Sequence, residues 1–130
     1  MAPRPSQAKA MEVVTKYEIS EGRAPKDVSK DGVGYDIESG GRKIEVKGVG
    51  ESWKTYAWQS LYPSEVECLN SNSKDFFLYI VKFTDVGEHT LYVIPGKDLL
   101  EKFQVKIASY QLTPISQRKL REFIRDGKRV

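Results

Sequence analysis

Along residues 7–19 the apolar side chains Ala10, Val13, Val14 and Tyr17 recur at helical spacing, which predicts an amphipathic helix. Gly22 and Pro25 close it. A polar stretch, KDVSKDG, then leads into two short alternating segments, GYDIES (34–39) and RKIEVKG (42–48). Gly40-Gly41 between them predicts a tight hairpin. Residues 49–60 read as a loop or ragged strand carrying Trp53, Tyr56 and Trp58. A short helix is expected from Pro63 to Asn70, with the proline in its first turn. DFFLYIVKF (75–83) is almost unbroken apolar sequence, as in a central strand covered on both faces. A strand over 90–94, a helix over 97–103, a strand over 105–112 and a helix from Ser116 to Asp126 complete the order. The alternation describes an α/β sandwich: a mixed central sheet flanked by helices.

Composition narrows the class without changing that picture. The chain has 130 residues, 39% of them hydrophobic and 30% charged, with seven Tyr, five Phe and two Trp. This suits one domain over residues 1–130 with its own core. No apolar run approaches the roughly 20 residues of a membrane span, and MAPRPSQAK has no apolar segment behind its arginine, so no secretory signal is expected. A single cysteine, Cys68, excludes an internal disulfide, and a single histidine, His89, excludes a two-histidine metal site. These features point to an intracellular protein away from membranes.

Net charge is only +3, but residues 118–130 hold six Lys and Arg against two acids, a net +4 that leaves −1 on the rest. Arg118, Lys119, Arg121 and Arg125 in this tail are candidate contacts to a polyanion such as nucleic acid, or else a solvated helix face. The loop ESWKTYAWQ interleaves aromatics with Lys54, which suits either stacking on nucleic acid or capping the core.

The hairpin carries the sharpest chemistry. With Gly40-Gly41 as a two-residue turn, Ile37 opposes Ile44, Asp36 opposes Glu45 and Tyr35 opposes Val46. Alternation puts Tyr35, Ile37, Ile44 and Val46 on the core face, and Asp36, Glu45 and Lys47 on the other. Two carboxylates about 5 Å apart repel by about 3 kcal/mol at an effective dielectric near 20. Either a cation sits between Asp36 and Glu45, or Lys47 neutralises one of them. Mg²⁺, for which Mn²⁺ substitutes, fits: it takes oxygen ligands and commonly uses one or two carboxylates plus water and phosphate. The Val46 backbone carbonyl points toward the same space, and Gly34, opposite Lys47, would leave room for a phosphate.

These residues resemble a known motif. GYDI followed by IEVKG is similar to the signature of the PD-(D/E)XK nuclease superfamily, with Asp36 as its aspartate, Glu45-Val46-Lys47 as its E-x-K, and Tyr35 where many members have proline. AMEVVTKYEISEGRAPKDVSKDGVGYDIES resembles the opening of the NO VEIN-type C-terminal domain, a module often appended to Swi/Snf-type helicases and to large restriction or defence ATPases. SLYPSEVECL and DFFLYIVKF resemble that family's next segment, so the likeness spans roughly residues 8–98. It implies a restriction-endonuclease-like fold and Mg²⁺-dependent hydrolysis of DNA, with Asp36, Glu45 and Lys47 catalytic. It also implies an acid on the first helix as a metal ligand, and Glu12 matches that position. Partners in keeping with it are DNA, a second copy of the chain, and a helicase or ATPase, in a cytoplasmic or nucleoid-associated setting. The competing reading is a nucleic-acid- or protein-binding module that does not cut.

Overall fold

The computed structural model describes residues 5–53, 61–103 and 116–126. Helix α1 (Pro5–Ser20) is followed by strands β1 (Lys26–Asp27), β2 (Ile37–Ser39) and β3 (Arg42–Val49). Helix α2 (Pro63–Ser71), strands β4 (Phe76–Phe83) and β5 (His89–Pro95), helix α3 (Gly96–Lys102) and helix α4 (Gln117–Asp126) complete the order. The strands form one five-stranded sheet in the order β1-β2-β3-β4-β5. β3 and β4 run parallel and every other neighbour pair is antiparallel. The mixed sheet flanked by helices is therefore present. The strand expected over 105–112, and Tyr56 and Trp58 of the aromatic loop, lie outside the described residues.

Each face of the sheet carries its own core. On one, Ala10 and Val14 of α1 pack on Ile37, Ile44, Val46, Tyr79 and Val81. On the other, Cys68 and Leu69 of α2 and Leu99 of α3 pack on Phe76, Leu78 and Ile80. β4 lies between the two layers and turns alternate side chains to each, which is why its sequence is apolar throughout. Pro63 starts α2, and the Glu65 carboxylate accepts the Tyr62 backbone N–H at 2.9 Å, half of a capping box. His89 opens β5, exposed and edge-on to the Phe83 ring at 6.2 Å. Among the described residues, no helix is long and apolar enough to cross a membrane.

The α1 layer also contains a buried polar network. Glu18, fully buried, accepts hydrogen bonds from Arg23 Nε at 2.6 Å and Nη2 at 2.7 Å. The Tyr79 hydroxyl donates to the same carboxylate at 2.9 Å and accepts from Arg42 at 2.8 Å. Arg42 also lies over the Phe77 ring, 4.1 Å from its centroid. Burial alone would raise the pKa of Glu18, but the bonds from Arg23 and Tyr79 outweigh it and hold the carboxyl below its ordinary value. Tyr79 is pushed up to about 12, mainly by burial. The network ties the end of α1 to the hairpin and to β4.

Candidate active site

The hairpin has the register its sequence implies, Ile37 with Ile44, Glu38 with Lys43 and Ser39 with Arg42. Gly40 and Gly41 both take positive φ, 53° and 83°, as a turn matched to strand twist requires. Regular pairing stops at Asp36. Its N–H still reaches the Ile44 carbonyl at 2.9 Å, while its own carbonyl accepts Val28 N–H at 2.8 Å. Its carboxylate accepts the Val46 backbone N–H at 2.9 Å, standing where a further strand residue would stand.

Two expectations change because the chain leaves the ladder there. Tyr35 does not join Ile37, Ile44 and Val46; it packs on the opposite face, against the α2–α3 core. Gly34 leaves no room for a phosphate. A Cβ on Gly34 would meet the Ser64 carbonyl oxygen at 2.6 Å, so its small size lets the start of α2 approach.

β3 points Glu45 and Lys47 to the α2 face, beside Leu78 and Ile80 of β4. Glu45 is 2% exposed. Helix α2 adds a third acid that the motif did not predict. Lys47 Nζ lies 3.3 Å from Glu65 and 3.5 Å from Glu45. The carboxyls of Asp36 and Glu65 are both within hydrogen-bonding reach of the Glu45 carboxyl. Burial, and then contact with these two acids, push the pKa of Glu45 far above the usual carboxylate range. Burial would lower Lys47, but Glu45 and Glu65 beside it outweigh this and hold the ammonium charged. Carboxylates this close share a proton or a cation, and one ammonium cannot balance three of them.

That donor set fits a hard divalent cation. Among the described residues, no three acidic, histidine or cysteine side chains form a ready cage. Mg²⁺ does not require one, since two carboxylates and water suffice. Asp36 and Glu45 would supply the two carboxylates, and the Val46 carbonyl lies on the same strand edge as the Asp36 carboxylate.

Helix α1 approaches this edge through Gln7 and not through Glu12. Glu12 is exposed and pairs with Lys16 at 3.0 Å, so the structure does not bring it to the acid cluster. Gln7 Nε2 donates to the Val46 carbonyl at 2.8 Å, and Gln7 Oε1 accepts Gly48 N–H at 3.1 Å. No sequence signal marked Gln7. Glu65 had a partial one, its place three residues after the α2 cap, but that foretells the cap and not the reach to Lys47.

Of the candidate nucleic-acid contacts, Lys54 lies outside the described residues. Arg118, Lys119, Arg121 and Arg125 lie on α4; the first, third and fourth are exposed, and Arg118 pairs with Glu122 at 3.3 Å.

Neither a curated protein nor a solved structure matches the chain. The profile of the family described as Protein NO VEIN, C-terminal, matches residues 6–94, a span that includes α1 from its second residue, the whole acid cluster and α2. The chain therefore belongs to the NO VEIN C-terminal domain family.

Proposed function

We propose that the domain is a metal-dependent deoxyribonuclease of the PD-(D/E)XK type, with a restriction-endonuclease-like fold, Mg²⁺ as cofactor and Mn²⁺ as substitute. The observation that carries this reading is the convergence of half-buried Asp36 and Lys47 on buried Glu45 where β2 ends beside β3. A fold with no use for a cation would gain by replacing such a cluster with apolar side chains. Bound between Asp36 and Glu45, the ion would polarise the phosphate and lower the pKa of a water. Lys47 stays charged and offsets the negative charge that grows on the phosphate oxygens as water adds to phosphorus. Glu65 holds Lys47 in place from α2. Basic side chains on α4, with Lys54, supply affinity for the DNA backbone. The same reading proposes a helicase or ATPase companion and, for cutting both strands, a second copy of the chain, in an intracellular setting.

Calorimetric titration with Mn²⁺ tests the metal site directly. The parent protein should bind, and Asp36→Asn and Glu45→Gln should each lose more than the roughly 10–100-fold in affinity that removing an outer-shell partner costs. In metal-free buffer at neutral pH Glu45→Gln should be as stable as the parent or more so, because the amide replaces a carboxyl that must take up a proton to be buried there. Two variants that bind Mn²⁺ like the parent would place the metal elsewhere.

A further inference from the structure

Beside the acid cluster stands an aromatic ring that the reaction does not use. Tyr62 is 72% exposed, with Lys47 Nζ 5.8 Å from its ring centroid. It lines a cavity of about 260 Å³ together with Val33, Asp36, Glu45 and Glu65. Glu45 and Glu65 are buried, while Tyr62 and Val33, 44% exposed, form an apolar rim. Ligand clefts for drug-sized molecules start near roughly 300 Å³, so a space of this size suits one nucleotide unit and not a broad groove.

The ring's mount is rigid. Tyr62 N–H donates to Glu65 Oε1 at 2.9 Å, and its carbonyl accepts Glu65 N–H at 2.9 Å and Val66 N–H at 3.0 Å. Pro63 follows, and the Tyr62 backbone sits at φ −72° and ψ 156°, the extended region a residue before proline prefers. An exposed aromatic on a fixed backbone loses little freedom when a flat partner stacks on it. Its position beside Lys47 also places that partner next to the phosphate the lysine would contact.

We infer that Tyr62 is a stacking platform for an unpaired nucleobase, so that the strand this site takes is single-stranded or locally unpaired DNA. The inference rests on the nuclease reading of the cluster and narrows its substrate. Two observations set the direction. The carboxylates are recessed beneath the rim, whereas duplex phosphates lie on a convex surface. Within a duplex, moreover, both faces of every internal base are already covered by neighbours, so the ring could meet only base edges. A splayed nucleotide offers a face to Tyr62 and lets its phosphate reach Lys47. Such stacking is sequence-tolerant, because every base has a π-face.

Fluorescence anisotropy with a labelled oligothymidylate and a duplex of equal length, in EDTA at one fixed salt concentration, tests this. Tyr62→Ala should weaken single-strand binding by about tenfold, within the roughly 5–150-fold range of base–aromatic stacking. Duplex binding should change less than about twofold, and Tyr62→Phe and Tyr62→Trp should retain single-strand affinity. The melting temperature of Tyr62→Ala should match the parent, since the ring is exposed. Unchanged single-strand binding by Tyr62→Ala, or equal losses on both DNAs, overturns the inference, as does a parent protein that binds no single strand. Parent protein that cuts with Mg²⁺ while Tyr62→Ala binds normally leaves the nuclease reading standing alone. Tyr62-dependent single-strand binding with no cleavage removes the nuclease reading and keeps the platform.

Discussion

Replacing Lys47 by methionine is expected to lower the rate of DNA cleavage by about 10²–10³, the usual loss when one preorganised electrostatic group leaves an active site. Methionine keeps most of the stem and removes the charge. Lys47 pairs with both Glu45 and Glu65 and has a depressed exposure, so its ammonium acts at short range with little screening by solvent. The charge it offsets is larger in the transition state than in bound DNA, so turnover should fall far more than affinity. Single-turnover cleavage of plasmid and oligonucleotide substrates with Mg²⁺ or Mn²⁺, alongside DNA binding, separates the two effects. Stability behaves differently with and without the ion. In metal-free buffer the variant leaves Glu45 and Glu65 without their cation and should melt lower than the parent, and millimolar Mg²⁺ should close that gap. Parent protein that binds DNA but cuts no single-stranded, double-stranded or branched substrate with either metal would transfer the case to the binding-module reading.

The second large effect is on folding. Glu18→Gln should destabilise the domain by about 3 kcal/mol, the lower end of the cost of breaking a buried ion pair, because Arg23 retains a fifth of its side-chain exposure. In a domain of this size that lowers the melting temperature by on the order of 10 °C. The variant leaves Arg23 and the Tyr79 hydroxyl facing a neutral amide where a carboxylate took three hydrogen bonds. The pH dependence follows from the lowered pKa. The folded state holds Glu18 ionised to lower pH than the unfolded chain, whose carboxyl titrates near 4.5. Its contribution is therefore complete above that pH and is lost as pH falls through the lowered folded value. Urea denaturation across pH 3–7 should show the gap between parent and Glu18→Gln narrowing toward acid. A gap that stays constant, or a variant as stable as the parent at neutral pH, would contradict the assignment.

How much of this was readable depended on the range of the contacts. Alternation and a glycine pair placed the hairpin and its register, because both are local: Ile37 meets Ile44 through a two-residue turn. The unbroken apolar run of β4 announced a strand between two layers. Extrapolating the ladder one residue further failed at Asp36, since its carboxylate takes over the Val46 N–H and lets Tyr35 swing to the other face. Nothing local to Tyr35 marks that departure. Glu65 comes to Lys47 across a separation of 18 residues, through a parallel crossover whose geometry no spacing encodes. Glu18 lies one helical turn beyond Val14, close enough to the apolar stripe to be buried. Its partners Tyr79 and Arg42 belong to strands that meet α1 only in the folded chain. Glu12 matched a family position, but helical rotation turns it to solvent.

The Gln7 amide has a consequence for self-association. β3 runs on to Val49 after β2 has ended, and an uncovered strand edge is a template for another chain's backbone. Here the edge is closed by side chains: Asp36 takes the Val46 N–H, and Gln7 takes the Val46 carbonyl and the Gly48 N–H. Together they imitate the backbone of an absent strand while leaving no backbone free to continue it. The domain's resistance to edge-to-edge aggregation along β3 thus depends on the first turn of α1. Fraying of that turn would present the Val46 carbonyl and the Gly48 amide to a neighbouring molecule.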